Sequence, residues 1–245
     1  MILLLGIDDT DDESSRGTGY QARRLGHAIQ DNGLGELRAV TRHQLLVDSR
    51  IDYTSRNSSA CLLLQTTEDH VPSLIDLARS ELVAHCAPGS KVGICLAELS
   101  AVDDAIRVFG RATKHEVLFA DAARSLGRES EIHIESIKGS GEGVIGALAA
   151  VGLHASGDDG RFVWLPKLRD LDGKYTIAGL TDLLDVQVET ISGDALPPSA
   201  EIEALEWMRP ILREGRAILL AEEENVDGEI GWRFADKPTV KALSN

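Results

Sequence analysis

Apolar residues open the chain as Met1-Ile2-Leu3-Leu4-Leu5-Gly6-Ile7 and stop at Asp8-Asp9. A continuous apolar run of that length predicts a buried strand over residues 2–8 that delivers two carboxylates to its carboxyl end, where open α/β sheets place ligands. From Thr18 to Asn32, Tyr20, Leu25, Ala28 and Ile29 fall on one face, with Arg23, Arg24 and Gln30 elsewhere; this predicts a helix closed by Asn32-Gly33. Glu36 to Val47 reads as a strand, Asp48 to Ser59 as a polar loop, Ala60 to Leu64 as a short buried strand and Asp69 to Cys86 as an amphipathic helix. Pro88-Gly89-Ser90 marks a turn before a strand at 91–98. Val102 to Leu126 is helical in pattern, with a break expected at Gly110, and Ile132, Ile134 and Ile137 predict a strand over 131–138. The loop Gly139-Ser140-Gly141-Glu142-Gly143 then opens an apolar helix over 144–152.

Gly157-Asp158-Asp159-Gly160 reads as a boundary, so the expected domains are 1–156 and 157–245. Beyond it the pattern predicts a strand at 161–165, a loop through Lys174, mixed apolar segments at 175–191 and a helix from Ala200 to Arg213 after Pro197-Pro198. Strands at 216–221 and around Trp232 follow, joined by the turn Asp227-Gly228. Alternating strands and helices imply a layered α/β or α+β domain. No internal repeat or low-complexity segment stands out.

At 245 residues, 43% of them hydrophobic, the chain can bury a sizeable core. A formal charge of -15 argues against a surface built for polyanions. The charge is uneven. Residues 14 to 60 carry Arg16, Arg23, Arg24, Arg38, Arg42, Arg50 and Arg56 against four acids and are net +3, whereas residues from 161 onward are net -6. A local basic site for a phosphorylated ligand therefore stays open, and the acidic second half is expected to serve packing or specificity. Cys61, Cys86 and Cys95 have no CxxC spacing and form no disulfide framework; Cys61 and Cys95, in apolar runs, read as small buried hydrophobes. The opening run is too short and too soon acidic for a signal peptide, and no apolar stretch is long enough to span a bilayer; the expected location is the cytoplasm.

Five of the six residues from Asp8 to Glu13 are acidic. Carboxylates packed that closely repel, and a divalent cation with a preference for hard oxygen ligands relieves them. A solvated acidic loop is the alternative, and for Glu13 the better one. Asp8 and Asp9 are the expected Mg²⁺ ligands, with Asp11 second. Guanidinium forks match phosphate, which makes Arg16, Arg42 and Arg56 candidates. Asn57, Ser58 and Ser59 would bind ligand or cap a strand turn, Lys114 and His115 could reach a phosphate, and His43 could act as a base. The glycine loop would offer backbone donors from Gly139, Ser140, Gly141 and Gly143 at a helix start, although its spacing fits neither GxGxxG nor GxxxxGK[ST].

Gly6-Ile7-Asp8-Asp9-Thr10-Asp11, Arg16-Gly17-Thr18 and Gly141-Glu142-Gly143-Val144-Ile145-Gly146-Ala147-Leu148-Ala149-Ala150-Val151-Gly152 resemble the archaeal tRNA(Ile2) 2-agmatinylcytidine synthetases. Arg56-Asn57-Ser58-Ser59-Ala60 is similar to a short loop of that family. The likeness covers roughly residues 1 to 165 and continues faintly through Arg216 to Glu223. It implies an α+β fold, with a mixed-sheet kinase-like domain and a smaller ferredoxin-like domain, taken here as residues 157–245. It also implies ATP and Mg²⁺ as cofactors and activation of an acceptor by phosphorylation. By the same resemblance Asp8, Asp9 and Thr18 take catalytic roles, Thr18 matching a phosphorylated threonine of the family. Family members continue into an OB-fold and a zinc ribbon; this chain ends at Asn245 without a CxxC pair.

The expected function is therefore an Mg²⁺-dependent, ATP-using enzyme acting on a small polar acceptor, with nucleic acid set aside as a partner on the charge argument and the oligomeric state left open. The alternatives are a non-catalytic nucleotide- or metal-binding module and a tRNA-modifying enzyme acting with a partner. A haloacid-dehalogenase-like phosphatase is disfavoured, because Asp12 and Glu13 stand where Asp9-Thr10-Asp11 would need a small residue and a Thr to follow.

Overall fold

The structure is a computed structural model that describes residues 1–12, 15–53, 57–226 and 229–245. The expectations for Glu13, Arg56 and the Asp227-Gly228 turn lie outside those residues. The chain forms two compact units, Met1–Ser156 and Gly157–Asn245, and its class is α+β.

The first unit contains strand β1 (Ile2–Asp8), helix α1 (Thr18–Asp31), β2 (Glu36–Gln44), β3 (Ser58–Gln65), α2 (Val71–His85) and β4 (Gly93–Glu98). It continues through α3 (Asp104–Ala112), α4 (Ala120–Glu129), β5 (His133–Ser136) and α5 (Gly143–Ser156). Its strands lie in the order β5-β4-β1-β3-β2, every neighbouring pair antiparallel. From β1 to β4 the element order is β-α-β-β-α-β, the split arrangement called ferredoxin-like. That arrangement, expected beyond residue 157, lies instead in residues 2–98, the stretch that also carries the acidic run.

Helix α5 is the buried centre of this unit. Its small residues lie against Leu4, Cys61, Cys95 and Ala97 on one side of the sheet and against Ile106 and Phe109 of α3. Cys61 and Cys95 are fully buried thiols, as read from their apolar runs. The helix break expected at Gly110 occurs instead between Ala112 and Ala120. Gly110 sits inside α3 because a Cβ there would stand 2.9 Å from the Leu153 nitrogen and 3.1 Å from the Ala149 oxygen of α5. The glycine lets two helices touch; it does not end one.

The second unit runs β6 (Arg161–Trp164), β7 (Lys174–Thr176), α6 (Ile177–Leu184), β8 (Gln187–Thr190), β9 (Glu201–Glu203), β10 (Ile211–Arg213), β11 (Arg216–Val226), β12 (Glu229–Phe234) and α7 (Lys237–Leu243). Its strand order is β6-β10-β11-β12-β9-β7, with β8 parallel to β11 and β9 parallel to β12, so this sheet is mixed. The helix expected over 200–213 is corrected to β9, a loop and β10. Pro210 is the reason, since its ring and missing N–H break a helix interior. Helix α7 escaped the sequence reading, although Asp236 caps it by accepting from the Thr239 N–H at 2.8 Å and Pro238 lies in its first turn. No helix among the described residues is long and apolar enough to cross a membrane.

Candidate functional site

The apolar run that makes β1 ends in the first unit at a cleft. Asp8, Asp9 and Asp11 form one side of it, Thr18 at the start of α1 another, and Glu142, Gly143 and Gly146 at the start of α5 its floor. Asp52, Asn57 and Ser58 come from the β2–β3 side, and Thr113 and Glu116 from the segment after α3.

Backbone geometry turns the acidic pair into this space. Asp9 has φ +55°, a left-handed conformation that aspartate tolerates better than most residues, so the chain leaves the strand abruptly at the second carboxylate. Helix α5 comes so close to β1 that a Cβ at Gly146 would occupy the place of the Asp8 carboxylate. Any larger residue at 146 would displace that group.

The Asp8 carboxylate is crowded by protein while one edge of the half-buried residue opens to the cleft. Burial pushes its pKa up to about 7; the Asp9 N–H and Arg42 pull downward, and the charges of Asp9 and Asp11 push further up. Asp9 rises to about 6, again chiefly through burial, with Lys91 opposing and Asp11, Asp52 and Glu142 reinforcing. Two neighbouring carboxylates that resist ionising are a concentrated demand for positive charge.

Lys91 supplies part of it. Its Nζ lies 2.8 Å from Asp52 and 3.9 Å from Glu142. Lys91, Asp52 and Glu142 are not expected partners from the sequence. One signal was available: Lys91 begins the segment leading into β4, and β4 runs antiparallel to β1 with Asp8 opposite Gly93, which brings the start of one strand to the end of the other.

Thr18 and Asp11 are bonded to each other. The Thr18 hydroxyl donates to Asp11 Oδ1 at 2.9 Å and accepts from the buried Thr10 hydroxyl at 3.2 Å. Asn57 and Ser58 line the cleft as expected, but the Asn57 amide already donates to the Leu46 carbonyl at 2.7 Å. Lys114 donates to the Gln44 carbonyl at 3.3 Å and does not line the cleft. Arg16 stacks on the Tyr20 ring, 4.6 Å from its centroid, on the exposed side of α1.

Of the glycine loop, only Glu142 and Gly143 reach the cleft. Gly139 (φ +79°) packs on Lys91 and Gly141 (φ +98°) on Arg124, both as turn residues, and the Ser140 hydroxyl is bonded to Glu142. The N–H of Gly143, an expected backbone donor, is given to the Lys91 carbonyl at 3.1 Å.

His43 is wholly buried, and its Nε2 lies 2.9 Å from Thr41 Oγ1, which lies 2.9 Å from His154 Nδ1; burial pushes the His154 pKa down to about 3. His43 is thus enclosed in the core beneath the sheet, away from the open edge of the cleft.

Among the described residues no three His, Cys, Asp or Glu side chains converge into a ready-made metal cage. Mg²⁺ asks for less: one or two carboxylates, with waters and substrate phosphates completing its shell. Asp8 and Asp9 fit that donor set, while Asp11 is turned toward Thr18.

No family model matches the sequence, and no curated protein matches it. Solved structures do. A tRNA fluorescent labeling enzyme aligns with a TM-score of 0.54 and 25% identity over 62% of this chain and 36% of its own. TiaS in complex with tRNA(Ile2) and ATP gives the same values, and apo TiaS, a tRNA(Ile2) agmatidine synthetase, has a TM-score of 0.53 at 25% identity. The chain thus spans about a third of the length of these proteins. Because they are tRNA enzymes, the expectation of a small-molecule acceptor with nucleic acid set aside is corrected. The formal charge of a whole chain averages over surfaces that a nucleic acid never meets, and here the segment 14–60 has the opposite sign to the rest. Fold and identity together support a relationship between this chain and the TiaS family over the 62% that aligns.

Proposed function

We propose that the first unit binds ATP with Mg²⁺ in the cleft at the end of β1 and uses it to activate, by phosphoryl transfer, a site on RNA of the tRNA class. The single observation behind this reading is the meeting of Asp8 and Asp9, both held above the usual carboxylate range, with the start of α5 in one cleft, at whose rim Lys91 pairs with the lining carboxylates Asp52 and Glu142. Phosphoryl transfer is mainly positioning and neutralisation of charge, and these groups supply both.

In this reading Asp8 and Asp9 hold the cation, which when bound would neutralise phosphate oxygens. Lys91 exchanges its exposed partner Asp52 for phosphate, a change that costs little because solvent-exposed ion pairs are weak. Thr18, donating to Asp11, stands as a hydroxyl paired with a carboxylate, the arrangement that prepares an oxygen to receive a phosphoryl group. The TiaS structure with tRNA(Ile2) and ATP supports both the nucleotide and the class of acceptor.

The test is ATP turnover in the presence of Mg²⁺ and bulk tRNA, comparing the native chain with Asp8→Asn. Loss of at least about a hundredfold is expected, the scale seen when one electrostatic partner of a transition state is removed. Undiminished turnover in the variant would sink the assignment. A binding-only module is favoured by the engaged Gly143 N–H; it predicts that Mg²⁺ and ATP stabilise the protein with no turnover in any tRNA pool.

A further inference from the structure

The carboxylate of Asp8 has a neighbour whose polar atom is unaccounted for. Ser59 Oγ is buried without a hydrogen-bond partner, the one such side-chain atom among the described residues, and Ser59 itself is fully buried. Buried hydroxyls are ordinarily paired, and leaving one unpaired is costly.

Sheet register places it. Ile7 pairs with Ala60 and Gly6 with Cys61 across the antiparallel β1–β3 ladder, so the next pair is Asp8 with Ser59. On the other side Ser59 pairs with His43 of β2. Opposite residues in such a ladder point to the same face with Cβ atoms about 4.5–5.5 Å apart. That face is the one covered by α5: Asp8 abuts Gly146, and Thr41, one row along, is bonded to His154. The hydroxyl therefore stands in a polar row between the carboxylate at the cleft and the enclosed His43–Thr41–His154 chain, which ties β2 to α5 and fixes the row in place.

We infer that Ser59 is a positioning residue for Asp8: when the carboxylate engages a cation, the Ser59 hydroxyl rotates to donate to it and fixes the direction of its free oxygen. This rests on the reading of the cleft as the Mg²⁺ and ATP site. Hydrogen-bond donors behind a metal-holding group are worth about 10–100-fold in metal affinity, so Ser59 accounts for a share of binding that no cleft-lining residue carries.

The experiment is titration of the full chain with Mg²⁺ and a non-hydrolysable ATP analogue, followed both by calorimetry and by the rise in melting temperature. Ser59→Ala is expected to weaken binding of the pair at least about tenfold while the ligand-free melting temperature stays equal or rises, because an unpaired buried hydroxyl has been removed. Ser59→Cys, which fills the same space with a weak donor, is expected to keep the loss. Unchanged binding in Ser59→Ala, or recovery in Ser59→Cys, would assign the residue to packing and overturn the inference. Absence of any Mg²⁺ and nucleotide response in the native chain would instead overturn the reading of the cleft, and the inference with it.

Discussion

Asp8 links the core to the cleft, and its titration should be visible in stability. Its pKa in the folded chain, about 7, lies above the ordinary value of 3.8, and that of Asp9, about 6, does likewise. The folded state therefore holds these protons more tightly than the unfolded state. Their contribution to stability is complete below pH 3.8 and is lost as pH rises through 6 to 7. In metal-free buffer Asp8→Asn should thus melt several degrees higher than the native chain at pH 8 and at the same temperature near pH 4. The gain at pH 8 should be on the order of 2 kcal/mol after allowing for the edge open to the cleft. Thermal melts across that range, with and without Mg²⁺, check the sign; a native chain that is the more stable one at pH 8 without metal would contradict the account. The acidic pair was legible in the sequence because an apolar run ended on it. Lys91, Glu142 and Asp52 were not, since what makes them partners is antiparallel pairing and loop return across 39 or more residues, which no local pattern encodes.

At the scale of elements, α5 shows where pattern reading succeeds and where it stops. Its glycine and alanine content marked it as an apolar helix, and it is one. The same content concealed how near it lies to its neighbours. Gly110 of α3 illustrates the difference, because Gly→Ala inside a helix ordinarily stabilises by about 1 kcal/mol. Here the new methyl would press on the Leu153 nitrogen and Ala149 oxygen, so Gly110→Ala should destabilise by about 1–3 kcal/mol, the usual range for overpacking. Chemical denaturation measures it, and a stabilised variant would mean that α3 can withdraw from α5 without cost. The second unit was less legible. Strands of three residues, as in β9 and β10, are too short for a period to show, and the apolar residues between 200 and 213 mimicked a helix until Pro210 is weighed.

For the whole molecule, the charge that once argued against RNA now constrains how RNA could be bound. Of the arginines in the basic segment, Arg24 is paired with Glu81 at 3.0 Å, Arg38 with Glu36 at 3.2 Å and Arg50 with Asp48 at 2.8 Å, while Arg16 and Arg23 flank the Tyr20 ring. Each of these pairs sets an acid beside the cation, so the positive field of the segment is weaker than its arginine count suggests. If the proposed reading holds, binding to tRNA should accordingly depend weakly on salt, with a log–log slope between about −2 and −4, corresponding to a handful of displaced counterions. Filter binding between 50 and 200 mM salt would read it, and a slope near −8 would require a broad basic face and contradict this account.

The Gly143 amide, stitched to the carbonyl of Lys91, carries one more implication. It anchors the start of the most deeply enclosed helix to the segment that leads into β4, beside Asp8 and Asp9, so that end of the cavity is the more firmly held. The opposite bank, where Asp52 projects into water, is held only by an exposed ion pair. In the proposed reading, departure of spent nucleotide would then be tuned from the solvent side and left untouched by the interior.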